Sequence, residues 1–358
     1  MIDTLINIYK KDTNNKLSSN TYLTMKRNLE RIEMLFNPKT IDDLEIKDLM
    51  EINKINKKMN EKYKLATKIQ TILGIKKIID FHISKKEKGA LKCLGLWERE
   101  LRKCVNERNE KIGNNEMTES EKLNWIDYED LTEKFQQNIE YTLMNEDYTK
   151  KFKSFKLSEE FNVRKLFLEA RNKLMIGLYI LIPPTRIDNY RIMLIREGKK
   201  LKKNSASSLN KNSNYICILE NGDYEIVFNK YKTAKLVGKV IKIIDKNSTL
   251  GFLISLYLSL RKHFVESKSK HLFCCLTETT KEIASGNFTE DLKKASKDII
   301  GKELSVNLYR HIFISHLSKL TLTINKKKEI ANFMGQTYNP TQQEQYRKIV
   351  KKDDINFF

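Results

Sequence analysis

An arginine, a lysine, a second arginine and a late tyrosine occur along this chain in an order that suits phosphodiester chemistry. Arg186 stands in Pro183-Pro184-Thr185-Arg186 and Lys232 in Lys230-Tyr231-Lys232-Thr233. Arg310 stands in Asn307-Leu308-Tyr309-Arg310-His311, and Tyr346 closes a stretch that begins at Gly335-Gln336. Breaking a phosphodiester needs a nucleophile, cations on the non-bridging oxygens, and an acid for the departing 5′-oxygen. Tyr346 can attack phosphorus. Arg186 and Arg310 can hold the oxygens, because guanidinium is always charged and its fork matches two of them. Lys232 can be the acid. A tyrosine nucleophile keeps the bond energy in a phosphotyrosine, so a strand can be resealed without ATP. The scheme requires no metal or other cofactor, and no carboxylate cluster in the sequence points to one.

These residues need elements to position them. Hydrophobic spacing predicts helices through residues 1 to about 105: one after Ser18-Ser19-Asn20, one from Asp42-Asp43, one from about Ala66, and one over Leu91 to Val105. Together they predict a small bundle with lysine-rich outer faces. Residues 106–122 are polar and read as an interdomain linker, with a second domain over 123–358. There, a helix near Tyr128 to Leu143 precedes another over 163–182 that stops at Pro183-Pro184. Residues 199–214 read as a mobile loop. Tyr215 to Leu219 and Tyr224 to Phe228 flank Glu220-Asn221-Gly222-Asp223, a hairpin signal. Leu236 to Ile244 reads as a third strand, which puts Lys232 in the turn between the second and third. Helices follow over Leu250 to Phe264 and Ala284 to Ile300, then around Arg310, then over Lys328 to Met334 before Gly335. The fold class expected is mostly α with a small antiparallel sheet.

Lys+Arg is 67 against 46 Asp+Glu, a net charge of +21 over 358 residues. That favours a polyanionic partner, nucleic acid or an acidic membrane face. A coding bias toward AT inflates Lys, Asn and Ile in the same direction, so charge supports the chemistry without carrying it. The five cysteines form no CxxC, Met1-Ile2-Asp3-Thr4 lacks the layout of a secretion signal, and the longest apolar run, Leu174 to Pro184, is too short for a bilayer. The expected setting is intracellular, at DNA, with no membrane partner.

In these boxes the chain resembles tyrosine recombinases of the integrase family. Thr21-Tyr22 and Ile41-Asp42-Asp43-Leu44 are similar to helix starts of that family's core-binding domain. Pro183 to Tyr190 is similar to its first-arginine box, Lys232-Thr233 to its hairpin lysine, Val306 to His311 to its second-arginine box, and Met334-Gly335-Gln336 through Tyr346 to its last box. The Lys122-Leu123-Asn124-Trp125 entry and the Pro-Pro-Thr-Arg box look most like recombinases of large DNA viruses, virophages and eukaryotic mobile elements. The resemblance implies a C-shaped clamp on double-stranded DNA, a 3′-phosphotyrosine intermediate, four protomers on two duplexes, and integration or recombination of an element. It also implies site roles for Asn307 and Gln336, which stand where the family usually carries His, and His or Trp.

Asn307 cannot shuttle a proton at neutral pH but can hydrogen-bond a phosphate oxygen, as can Gln336. His311 is the nearby imidazole. The family often places a carboxylate three residues after the first arginine; here Asn189 stands there and Asp188 beside it. Two other functions share these residues: a type IB topoisomerase, which reseals the same strand as a monomer, and a DNA-binding accessory protein without cleavage activity. Singly, each residue has an ordinary explanation, since Tyr346 is one of 15 tyrosines.

Overall fold

The computed structural model describes residues 19–113, 115–144, 160–197, 209–336 and 347–348. The protein is mostly α-helical with a four-stranded sheet, and it divides into two compact units, Met1–Asn114 and Asn115–Phe358.

The first unit is helical: α1 (Ser19–Phe36), a 3-10 turn (Ile41–Asp43), α2 (Ile46–Leu49), α3 (Ile52–Lys62), α4 (Leu65–Ser84) and α5 (Ala90–Gly113). Ile32, Leu49, Met59, Ile72, Ile75 and Trp97 are fully buried in its core. Trp97 adds a hydrogen bond from Nε1 to the Leu49 carbonyl, 2.8 Å away. The single helix expected from Asp42 is replaced by the 3-10 turn, α2 and α3. Local caps restart the chain there: the Asp43 carboxylate accepts from Thr40 Oγ1 at 2.6 Å, and that of Asp48 from the Glu45 N–H at 3.0 Å.

The linker expected over 106–122 is also corrected. Helix α5 continues to Gly113, the boundary falls after Asn114, and α6 (Glu119–Asn124) already belongs to the second unit. The polarity of 106–113 is that of an exposed helix carrying i,i+4 pairs, such as Lys111–Glu107 at 2.8 Å. Thr118 caps α6 reciprocally: its Oγ1 accepts from the Glu121 N–H, and its own N–H donates to the Glu121 carboxylate.

The second unit continues with α7 (Tyr128–Met144), α8 (Glu160–Ile180), α9 (Ile187–Arg191), β1 (Leu194–Glu197), β2 (Tyr215–Ile218), β3 (Tyr224–Phe228), α10 (Ala234–Val237) and β4 (Val240–Ile244). It ends with α11 (Thr249–Phe264), α12 (Ser285–Ile300), α13 (Val306–Lys319) and α14 (Ile324–Phe333). The strand order is β1-β2-β3-β4. β2, β3 and β4 pair antiparallel as expected, but β1 adds a parallel pairing with β2, so the sheet is mixed. Four residues ending in Arg196-Glu197 carry too weak a strand pattern to be read from sequence. The expected strand over Leu236 to Ile244 is also shortened, because Ala234–Val237 forms a helical turn that ends at Gly238 with φ +83°.

The sheet separates two apolar clusters. Ile216, Ile226 and Phe228 join the main core with α8, α11, α12 and α13, while Cys217, Val227 and Leu209 make a smaller cluster. Of the mobile loop expected over 199–214, residues 199–208 lie outside the described ones. Among the described residues, no helix is long and apolar enough to cross a membrane.

Candidate active site

Three chain segments distant in sequence meet at the backbone of Met334-Gly335-Gln336. The first is the end of α8. The helix stops before Pro183-Pro184, and Arg186 follows in extended conformation as the N-cap of α9. Arg186 Nη1 donates to the Gly335 carbonyl at 2.6 Å. Its Nε and Nη2 meet no protein acceptor among the described residues, so a half-buried guanidinium keeps donors in hand.

The second segment is the turn between β3 and α10. Thr233 Oγ1 donates to the same Gly335 carbonyl at 2.6 Å, and the Tyr231 hydroxyl donates to the Gly238 carbonyl. The third is α13, capped by Ser305 Oγ on the Leu308 N–H. One turn in, Arg310 is 1% exposed and donates from Nη1 to the carbonyls of Pro184 and Met334, both at 3.2 Å. Arg310 therefore bridges the first-arginine box and the Gly335 box.

Gly335 sits where a side chain would be crowded and its backbone strained. Its φ is +67°, and a Cβ there would stand 3.2 Å from Tyr231 Cδ2 and 3.6 Å from Arg186 Nη1. Its N–H bonds to the Asn332 carbonyl and that of Gln336 to Ala331, closing α14. Gln336 is 7% exposed, and its Nε2 has no hydrogen-bond acceptor among the described residues. A buried amide donor left unpaired costs stability, which is tolerable where a ligand oxygen completes it.

The wall near Arg310 is made of tyrosines, two of which, Tyr190 and Tyr309, fall within the two arginine boxes. Tyr179 stacks on Tyr309 at 5.5 Å between centroids and meets Tyr190 edge-on at 5.4 Å. Burial pushes all three hydroxyls well above the usual tyrosine range, so they stay protonated at neutral pH.

The other expected residues stand as follows. Lys232 is exposed in the β3–α10 turn, with Lys230, Lys235 and Lys239 exposed nearby. None of the four makes an ion pair among the described residues. Asn307 is exposed in the first turn of α13, on the Arg310 side of the helix but outside the core. His311 Nε2 lies 3.7 Å from the Glu121 carboxylate, which Lys348 Nζ also approaches at 3.4 Å. Asp188 is turned to Arg191, with Oδ1 2.9 Å from Nε, while Asn189 is buried. Arg191 also reaches Glu282 and the Ile283 carbonyl, so the Asp188 side chain serves a surface network. Tyr346 lies outside the described residues, as do 337–345. Two residues beyond Tyr346, the Lys348 N–H donates to Ser315 Oγ at 2.9 Å and its Nζ to the Glu116 carbonyl at 2.8 Å.

Sequence reasoning missed Asn214, whose buried side chain links the Lys232 turn to α9. Its setting, among Asn210, Asn212 and Ser213, looks like ordinary loop composition. Among the described residues, no group of three or more His, Cys, Asp or Glu is arranged to hold a metal ion. No protein-family model matches this chain, and no curated protein matches it.

Proposed function

We propose that the protein is a tyrosine-type DNA strand transferase, a site-specific recombinase or integrase acting through a 3′-phosphotyrosine. The observation that carries this reading is the meeting of both arginines and the lysine-bearing turn at the carbonyls of Met334 and Gly335, at the start of the segment that ends in Tyr346. Each of these contacts joins residues far apart in sequence. A chain of unrelated arginines would have little cause to assemble them around one short backbone stretch.

In the proposed reaction Tyr346 Oη attacks the scissile phosphorus and the P–O5′ bond breaks. Arg186 and Arg310 hold the non-bridging oxygens as charge builds. Gln336 Nε2 offers a buried neutral donor to the same oxygens, and Asn307 a donor at the rim of the site. Lys232 gives its proton to O5′, and the tyrosyl proton passes to His311, directly or through water. The 5′-hydroxyl of a second duplex then attacks the phosphotyrosine, giving its proton to Lys232; the P–Oη bond breaks, and His311 returns a proton to Tyr346. Exchange between two duplexes calls for four protomers, and the net charge of +21 suits the DNA they would hold.

The test is covalent capture. Wild type and Tyr346→Phe are incubated with a pool of random-sequence duplexes carrying nicks, quenched in denaturant, and the retained DNA is sequenced. Adducts in the wild type alone are expected, and they report the preferred site. Binding by both proteins with adducts in neither would instead indicate an accessory DNA-binding protein. Relaxation of supercoiled DNA without pairing of duplexes would indicate a topoisomerase.

A further inference from the structure

We propose that Asn214 is a positioning residue that holds the Lys232 turn in register with the Arg186 box; this rests on the strand-transfer reading above. Asn214 is fully buried just before β2. Its Oδ1 accepts from the N–H groups of Asn229 at 2.9 Å and Lys230 at 2.8 Å. Its Nδ2 donates to the carbonyls of Lys230 at 3.0 Å and Asn189 at 3.2 Å. Both amide hydrogens and both lone pairs of the oxygen are used. The amide cannot be flipped, because flipping would set its oxygen against two carbonyls and its NH2 against two N–H groups.

The partners give this amide its role. Lys230, two residues before Lys232, is gripped through both its N–H and its carbonyl, which fixes the entry to the turn. Thr233 fixes the exit at the Gly335 carbonyl. Asn189 belongs to the first turn of α9, where its N–H bonds to the Arg186 carbonyl at 3.0 Å. The backbone carbonyl of Asn214 also accepts from the Leu194 N–H at 2.9 Å, tying β1 to the same point. One side chain therefore sets where the acid-bearing turn lies relative to the first arginine. Lys232 has no packing of its own to find that place, since its side chain is exposed and makes no ion pair among the described residues.

If Asn214 acts through Lys232, its loss should be felt at the protonation of O5′, as the P–O5′ bond breaks. Replacing O5′ by sulfur removes that requirement: a thiol ionises near pH 8.5, about seven units below an aqueous hydroxyl, so the thiolate leaves without a proton. Wild type, Asn214→Ala, Asn214→Asp and Lys232→Ala would be compared on the captured site sequence in oxygen and sulfur forms, after a thermal melt of each. Asn214→Asp is a near-isosteric second variant. It keeps the acceptor toward Asn229 and Lys230 and loses both donors.

A general acid contributes roughly 100-fold or more, so misplacing it should slow adduct formation on oxygen DNA by at least about tenfold. On sulfur DNA the Asn214 variants should return to within a few-fold of wild type, and so should Lys232→Ala. Asn214 variants that cleave oxygen DNA at the wild-type rate, or that are slowed equally on both leaving groups, would overturn the inference. A wild type that forms no adduct on either DNA overturns the strand-transfer reading itself, and the role of Asn214 with it.

Discussion

Replacing Gly335 by alanine tests the geometry of the site without reference to its chemistry. At φ +67° an L-residue with a Cβ pays about 1–2 kcal/mol relative to glycine. The loss of glycine's freedom in the unfolded chain returns about 0.4–1 kcal/mol. The new methyl would also stand 3.2 Å from Tyr231 Cδ2, tighter than ordinary van der Waals contact, and 3.6 Å from Arg186 Nη1. The ring of Tyr231 is tethered through its hydroxyl to Gly238, which limits how far it can yield. The net expectation is a loss of about 1–2 kcal/mol, a fall in melting temperature of roughly 2–8 °C for a unit of this size. Gly286→Ala is the control, because Gly286 lies in α12 with no heavy atom within 4 Å of an added Cβ. That substitution, in the first turn of the helix, should be neutral or stabilise by up to about 0.5–1 kcal/mol. Differential scanning calorimetry of the two variants beside wild type reads both. A Gly335→Ala protein that melts with, or above, Gly286→Ala would refute the crowding at the meeting point of Arg186, Thr233 and Tyr231.

Two further outcomes concern buried charge. Burial raises the Glu121 pKa, but the Thr118 N–H, Lys348 and His311 outweigh it, and the group lies below its ordinary value. Its contribution is therefore present above the unfolded carboxylate pKa and lost as pH falls through the folded one. Glu121→Gln should lower the urea midpoint at pH 7, and the gap should close below about pH 4; a gap that ignores pH would contradict the pairing with Lys348 and His311. Glu225 in β3 is 1% exposed, neither carboxylate oxygen has a hydrogen-bond partner among the described residues, and burial raises its pKa despite Lys239. Here stability is lost as pH rises from the unfolded value through the folded one. Glu225→Leu should gain about 1–3 kcal/mol at pH 7, and more there than at pH 4. Destabilisation in a urea titration at pH 7 would show that the carboxylate has a partner after all.

The capture experiment with Tyr346→Phe and the leaving-group comparison for Asn214 address the chemistry. The Gly335, Glu121 and Glu225 variants address the frame around it. Agreement in the second set without the first would leave a correctly described fold with a different use.

Much of this molecule was legible in its residues. Helical spacing located α1, α4, α8 and α11 to within a few positions, because each buries a continuous apolar stripe. The turn of Glu220-Asn221-Gly222-Asp223 marked the β2–β3 hairpin, and the proline pair marked the end of α8. What failed depended on local competition or distant partners. Polar residues 106–113 resembled a linker because an exposed helix face and a linker have the same composition, and only α5 continuing through them distinguishes the two. Strand β1 was invisible because four residues gain strand identity only from the neighbour they pair with. The order of Arg186, Lys232, Arg310 and Tyr346 was a property of the sequence, and the proposed chemistry rests on it. That Arg186 and Thr233 share the Gly335 carbonyl, that Arg310 spans Pro184 and Met334, and that Asn214 clasps Lys230 to Asn189 were decided by the tertiary structure alone. Side-chain identity restricts which bonds a residue can make, but hydrogen bonds act over about 3 Å, and only folding brings such remote groups that close.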